Sequence, residues 1–192
     1  MHGPSPTDVH VEADRLCRLV EDLVVLARSE RDGIRPAGEP VAIGRLVRAG
    51  VERELERHRD VAIEFHGASD AVADGADEIM VAHVVRNLLD NALRYGGDAR
   101  PIVVEVDVDL DEVAVRVIDH GEPPDPDREP FGLSIHPTAT AAGRAGAGIG
   151  LYVADRLVRA MGGRMWATPL EPDGAEFGFA LARFNGLRQS EA

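Results

Sequence analysis

The chain has little of what would staple a small secreted protein or carry one into a membrane. One cysteine, Cys17, stands in 192 residues, which excludes an intrachain disulfide and fits a reducing compartment. Aromatic residues make up only 4% of the sequence, so Val, Leu, Ile and Ala must fill any core. Positive charge is scarce: 21 Lys and Arg stand against 34 Asp and Glu, for a formal net charge of -13. Such a surface repels phosphates, which argues against a nucleic-acid or anionic-membrane partner. Any phosphate site must therefore be built locally, from backbone amides and a few cations. No apolar run approaches the ~20 residues that span a bilayer. The opening Met1-His2-Gly3-Pro4-Ser5-Pro6 lacks the basic and apolar regions of a signal peptide. The expectation is a soluble cytoplasmic protein, and a hydrophobic fraction of 44% is ample for one core with a short appendage.

What is present falls into an ordered pattern. Residues 1–8 read as a loose tail. Over 9–30, Leu16, Leu19, Val20, Leu23, Leu26 and Ala27 recur at three- and four-residue steps, a helical apolar stripe. Such a stripe needs a cover: either its own domain or a partner helix in a bundle. Segment 31–40, punctuated by Gly33, Pro36, Gly38 and Pro40, is a connector and a domain boundary. The spacing then predicts a short strand over 41–43, a helix over 44–58 and a strand over 61–66. A turn at Asp74-Gly75 precedes a long amphipathic helix over 77–95, stopped by Gly96-Gly97. Segments 101–109 and 112–119 alternate with period two and form a hairpin. From Gly121 to Gly146 no period is sustained, and a loop of that length in a compact domain is usually functional. A helix over 149–161 and strands over 164–168 and 176–181 close the pattern, leaving a polar tail from Asn185. The order argues for an α+β fold: a two-layer α/β sandwich. Its mixed sheet of about five strands is covered by three helices on one face, with an N-terminal bundle helix added.

Three motifs carry chemistry. Asn87, Asn91 and Arg94 are spaced i, i+4, i+7 and share one stripe of their helix, while Val84, Val85, Leu88, Leu89 and Leu93 face the core. Asn is a mediocre helix former. Its amide oxygen can ligate a hard cation such as Mg²⁺, which keeps substrate phosphates in its shell, and an Arg nearby can pair with phosphate oxygens. Alone, the stripe also reads as a solvated face. Asp119-His120-Gly121 ends the hairpin's last strand. A carboxylate there can accept a hydrogen bond from an exocyclic amine such as adenine's, with Gly121 admitting a close backbone approach. Alone, it also reads as an ordinary turn. Gly146-Ala147-Gly148-Ile149-Gly150-Leu151 is a glycine turn feeding a helix, which offers amides to phosphate oxygens. It follows no predicted strand and lacks a Lys-Ser/Thr ending, which disfavours the dinucleotide fold and the P-loop.

In this order the motifs resemble the catalytic and ATP-binding domain of two-component sensor histidine kinases, within the gyrase, Hsp90, histidine kinase and MutL ATPase superfamily. Residues 87–95 resemble the asparagine box, 119–121 the first glycine box, and 146–151 the second, which runs on to 162–167. The loop between them resembles the ATP lid, with Pro130-Phe131 where the family has its phenylalanine motif. Residues 12–28 resemble the second helix of the dimerisation and phosphotransfer hairpin. The first helix, which carries the phosphoaccepting histidine, is missing. None of His2, His10, His58, His66, His83, His120 and His136 sits in a His-Glu/Asp-x-x-x-Pro context.

The resemblance implies a division of the chain. Residues 1–30 form a partial dimerisation/phosphotransfer helix, 31–40 a linker, 41–184 the ATP-binding catalytic domain and 185–192 a flexible tail. It implies ATP and Mg²⁺ as cofactors. Asn87 and Asn91 would hold the metal, with Arg94 and Tyr95 bordering the phosphates and Asp119 with Gly121 taking adenine. Gly146, Gly148, Ile149, Gly150 and Leu151 would close on the triphosphate. The implied activity is transfer of the γ-phosphoryl group to a histidine on a separate acceptor chain, which would serve a response regulator. The chain is then a split kinase or a truncated one, with the apolar stripe available for a helix-mediated oligomer. One departure is Pro123, followed by Pro124, where the family has a second glycine. With the missing acceptor, it points to a second reading: a transfer-inactive nucleotide-binding regulatory module that holds a partner through its N-terminal helix. A serine kinase of the anti-sigma type is disfavoured, because that group lacks such a helix.

Overall fold

The structure is a computed structural model that describes residues 16–27, 33–96, 100–121, 123, 129–132, 138–139, 145–146 and 149–185. Helix α1 spans 16–27. It is followed by β1 (Glu39–Val41), α2 (Ile43–Arg57), β2 (Ile63–Gly67), β3 (Ala73–Ala76) and α3 (Glu78–Tyr95). Then come β4 (Ile102–Val108), β5 (Glu112–Asp119), β6 (Thr138–Ala139), β7 (Ala145–Gly146), α4 (Ile149–Ala160), β8 (Arg164–Pro169) and β9 (Ala175–Ala182).

The strict alternation of β4 and β5 decides the architecture. Ile102, Val104 and Val106 on β4, and Val113, Val115 and Val117 on β5, all turn to one face and are buried. The main sheet has the order β2-β4-β5-β9-β8. β2 runs parallel to β4 and every other pair is antiparallel. A parallel pair needs a crossover, and here it is β3 with α3 that makes the connection. Helices α2, α3 and α4 cover the apolar face. Val47 and Val51, then Val81, Val84, Leu88 and Leu89, then Val153, Leu157 and Val158, join the sheet's valines in one core. Phe179 of β9 is the largest fully buried side chain, and the rest of that core is almost wholly aliphatic, as the shortage of aromatics requires. The other face of the sheet carries charge: Arg116 of β5 pairs with Glu105 at 3.0 Å and with Asp107, both on β4.

Asp77 shows how local sequence sets the site's main helix. Its Oδ1 accepts from the backbone N–H of Ile79 and of Met80, both at 3.0 Å, and so caps α3. Its Oδ2 accepts from Ala37 N at 3.0 Å and pins the connector. Replacing Asp77 by Ala should lower stability by about 1–2 kcal/mol, read as a lower urea midpoint at unchanged slope. An unmoved midpoint would mean that the cap contributes nothing.

The expected architecture is present, with three local corrections. Asp74-Gly75 is not a turn but the middle of β3, which pairs antiparallel with β1 in a separate small sheet. Gly75 takes φ 62° there, which explains why a turn-like dipeptide can sit inside a strand. β1 lies two residues earlier than expected, because Ile43 is fully buried as the first residue of α2. Segment 121–146 contains the short pair β6–β7. The remainder of that segment (122, 124–128, 133–137 and 140–144), with 1–15, 28–32, 97–99, 147–148 and 186–192, lies outside the described residues.

Candidate functional site

The end of β5 and the turn before β9 meet where α3 ends, and the start of α4 meets α3 two turns earlier, at Asn87. Asn87, on α3, is 7% exposed. Its Nδ2 donates to the carbonyl of Gly150 in the first turn of α4 at 2.9 Å. With the amide nitrogen so engaged, Oδ1 is the end of the side chain available to a cation. Asn91 is one turn further on and half-buried. Arg94 follows on the same face, donating from Nη2 to Asp90 Oδ2 at 3.1 Å. Tyr95 is half-buried and closes the helix.

Asp119 ends β5 and is 2% exposed. Its Oδ1 accepts from Gly121 N at 3.0 Å. A Cβ on Gly121 would overlap the Tyr95 carbonyl oxygen, and a Cβ on Gly174 would overlap the Asp119 carbonyl oxygen. A Cβ on Gly96 would sit 2.9 Å from Asp119 Cβ. Glycine at these positions is what lets the chain close around this carboxyl group. Burial pushes the Asp119 carboxyl up to about 6, against the pull of backbone hydrogen bonds from Gly121 and Ala175. Burial also lowers His120, with the charge of Arg100 adding to it. A buried carboxyl displaced toward neutrality is a mark of functional sites.

Of the second glycine box, Gly146 lies in β7, Gly148 lies outside the described residues, and Ile149, Gly150 and Leu151 begin α4. The structure therefore joins Asn87 to Gly150, and Asp119 to Gly121 and Tyr95. It ties Gly146 to Thr138 in the β6–β7 pair instead. Phe131 is half-buried and packs against the core, and Pro123 is exposed. Among the described residues no group of three or more His, Cys, Asp or Glu could hold a metal ion. A divalent cation here would rely on amide oxygens and on the oxygens of a phosphate ligand, a donor set that Mg²⁺ accepts.

One part of the site was not legible in the sequence. α1 packs across α3. Asp22 is 4% exposed, with Oδ1 at 2.7 Å from His83 Nε2 and 3.5 Å from Asn87 Nδ2. Glu21 pairs with Arg86 at 2.6 Å, and Arg18 with Asp90 at 3.7 Å. The apolar stripe of α1 is split. Leu19, Val25 and Leu26 pack against the core. Leu16, Val20, Leu23 and Val24 remain 55%, 58%, 52% and 43% exposed. Of the two expected covers, its own domain takes one face of the helix, and the other face stays open.

Comparison with known proteins decides the family. The profile described as histidine kinase-, DNA gyrase B-, and HSP90-like ATPase matches residues 76–184, more than half of the chain. The chain belongs to this ATPase family. Within it, the chain is 27% identical over 176 residues to the sensor histidine kinase WalK of Bacillus subtilis, covering 88% of this chain and 29% of WalK. It is 32% identical over 149 residues to the adaptive-response sensory kinase SasA of Synechococcus sp. (strain CC9902), covering 74% of this chain and 39% of SasA. The chain spans about a fifth to two fifths of the length of such relatives. Full-length ShkA in complex with AMPPNP superposes with a TM-score of 0.71 at 25% identity, over 96% of this chain and 41% of ShkA. A mycobacterial sensor histidine kinase, MprB, shares the fold with a TM-score of 0.65 at 21% identity, over 77% of this chain and 98% of MprB. The ATPase domain described here is of the sensor histidine-kinase type. No helix among its described residues is long and apolar enough to cross a membrane.

Proposed function

We propose that this chain is the ATP-binding catalytic part of a two-component histidine kinase and transfers the γ-phosphoryl group of ATP to a histidine on a separate acceptor chain. The observation that carries the reading is that α3 presents, along one helix, a buried amide (Asn87) clipped to the first turn of α4 and, two turns on at its end, meets a buried carboxyl (Asp119 of β5) closed in by glycines. The first suits an adenine amine, the second a cation and its phosphates.

In this reading Asp119 accepts from the exocyclic amine while Gly121 lets the ring lie close. Asn87 and Asn91 offer amide oxygens to Mg²⁺, which when bound offsets the charge of the phosphate oxygens. Arg94, now held by Asp90, swings to the phosphates. Gly146, Gly148 and the Ile149-Gly150-Leu151 turn close on the triphosphate. An imidazole nitrogen of the acceptor forms the new P–N bond as the bond from phosphorus to the β,γ-bridging oxygen breaks. ADP leaves with that electron pair, and the imidazole proton passes to a group on the acceptor. The domain supplies position and charge compensation, which dominate phosphoryl-transfer catalysis. The open face Leu16, Val20, Leu23 and Val24 is the strip on which an acceptor helix docks, and the phosphoryl group then goes to a response regulator in the cytoplasm.

A second reading, a nucleotide-binding regulatory module without transfer activity, is favoured by the exposed Pro123 beside the first glycine box and by the docking of α1 on α3. Incubation with γ-labelled ATP and candidate acceptor proteins separates the two. Acid-labile, base-stable label on an acceptor is expected. Nucleotide uptake with no label on any acceptor would favour the regulatory module, and no uptake at all would remove both.

A further inference from the structure

We propose that α1 completes the nucleotide site: Asp22 is a positioning residue that fixes which end of the Asn87 amide faces the bound cation. The inference rests on the reading that a metal-bound nucleotide binds here, and goes beyond it by assigning work to a helix otherwise cast as a docking strip.

An Asn side chain can present either its oxygen or its nitrogen to a ligand, and the partners of the nitrogen decide which. Asn87 Nδ2 carries two N–H groups. One is taken by Gly150 O at 2.9 Å, and the other faces Asp22 Oδ1 at 3.5 Å. Between two acceptors, the nitrogen stays put and the oxygen is left for the ligand side. Without α1 the nitrogen would keep one partner only, and the amide would be freer to turn.

Asp22 is itself held in place. His83 Nδ1 lies 3.1 Å from Arg86 Nη2, and a guanidinium can only donate. Nδ1 must therefore accept, which puts the imidazole proton on Nε2, 2.7 Å from Asp22 Oδ1. Arg86 is fixed in turn by Glu21 at 2.6 Å. The relay runs from Glu21 of α1 to Arg86 and His83 of α3, back to Asp22 of α1, and on through Asn87 to Gly150 of α4. A carboxylate 4% exposed is costly unless its hydrogen bonds are made, so the geometry is tightly specified. The same helix reaches a second site residue. Arg18 pairs with Asp90 Oδ1 at 3.7 Å while Arg94 holds Asp90 Oδ2 at 3.1 Å. Docked α1 therefore offsets the anion that would otherwise retain Arg94 alone.

The test titrates AMPPNP into the full chain and its Asp22→Ala and Asp22→Asn variants by calorimetry, with and without Mg²⁺. Removing an outer carboxylate that orients a metal ligand typically costs on the order of 10–100-fold in affinity. A loss of about tenfold or more is expected for Asp22→Ala with Mg²⁺, and no change without it. A second readout needs no ligand. The ¹⁵N shifts of the His83 ring should report the Nε2–H tautomer in the parent, and both these and the Asn87 side-chain amide signals should move in the variants. Equal loss with and without Mg²⁺, no loss, or tighter binding would each overturn the proposal. So would unmoved Asn87 signals. Should Asp22→Ala not fold, Asp22→Leu, of similar size and equally without an acceptor, decides on the same criteria. If the folded parent takes up no nucleotide in either condition, the proposed function fails, and this metal-orienting role with it.

Discussion

Replacing Asp119 by Asn is expected to weaken adenine-nucleotide binding about a hundredfold, on the order of 3 kcal/mol. The reason is a count of donors. Asp119 receives backbone hydrogen bonds from Gly121 and from Ala175, and the proposed site adds the adenine amine as a third. A carboxylate has lone pairs for all three. An Asn has one acceptor oxygen, and its NH₂ must confront at least one of these donors. A guanine nucleotide should bind the parent poorly for the mirror-image reason, since it presents a carbonyl oxygen to the carboxylate. Retention of near-parental affinity in a folded Asp119→Asn variant would take Asp119 out of the site.

The same residue makes stability and binding run in opposite directions with pH. The Asp119 carboxyl titrates at about 6 in the folded chain, above the ordinary 3.8. Between those values the folded state holds the proton that the unfolded chain has released. Folding is therefore favoured on the acid side, and this contribution is lost as pH rises through about 6. The contribution is complete, at roughly 3 kcal/mol, below the ordinary carboxylate range, and about half of it remains at pH 5. Adenine recognition needs the ionised form, so nucleotide affinity should fall as pH drops below about 6. Urea unfolding without ligand and calorimetry with AMPPNP, both at pH 5 and pH 7.5, should show these opposed trends as a difference between parent and Asp119→Asn. Identical pH dependence in parent and variant would refute the assignment.

How much of this was readable beforehand depends on the range of the forces involved. The valine alternation of β4 and β5, and the apolar repeat of α3, are local periodicities, and they fix the sheet, the core and the stripe of Asn87, Asn91 and Arg94 without help from elsewhere. β3 was misread because Asp74-Gly75 has turn chemistry, while its strand geometry comes from pairing with β1 more than thirty residues away. α1 is legible as a helix, but the details of its packing are not. Its packed face is centred on Asp22, a charge that hydropathy assigns to solvent, and Leu16, Val20 and Leu23 are left outside. The polar face goes inward because His83 and Asn87 await it on α3, a complementarity between residues some sixty positions apart. Gly96 reads as a helix stop, and nothing local discloses that both it and Gly174 abut Asp119.

Gly121→Ala should be among the most damaging single substitutions in the chain, costing more than about 4 kcal/mol. Its backbone is not in the left-handed region, so the requirement for glycine is one of contact, not of conformational freedom. Any Cβ would overlap the Tyr95 carbonyl oxygen while sitting 2.6 Å from the carbonyl carbon and 2.9 Å from Gly96 Cα. All three are backbone atoms, so no side-chain rotation relieves the clash. The end of β5 must then separate from the end of α3, stretching the His120 N to Gly96 O bond of 3.2 Å and the Gly121 N to Asp119 Oδ1 bond of 3.0 Å. Gly75→Ala provides the control. It has φ 62° but nothing within 4 Å of a Cβ, and should cost only the left-handed penalty of about 1–2 kcal/mol. Urea midpoints decide between the two causes, and equal losses at both positions would show that close approach is not what Gly121 provides. Where the Gly121 variant still folds, it should also lose nucleotide binding. The contact it disrupts is the one that holds the carboxyl of Asp119 at a fixed distance from the Asn87–Arg94 stripe, and a nucleotide reaching from one to the other depends on that separation.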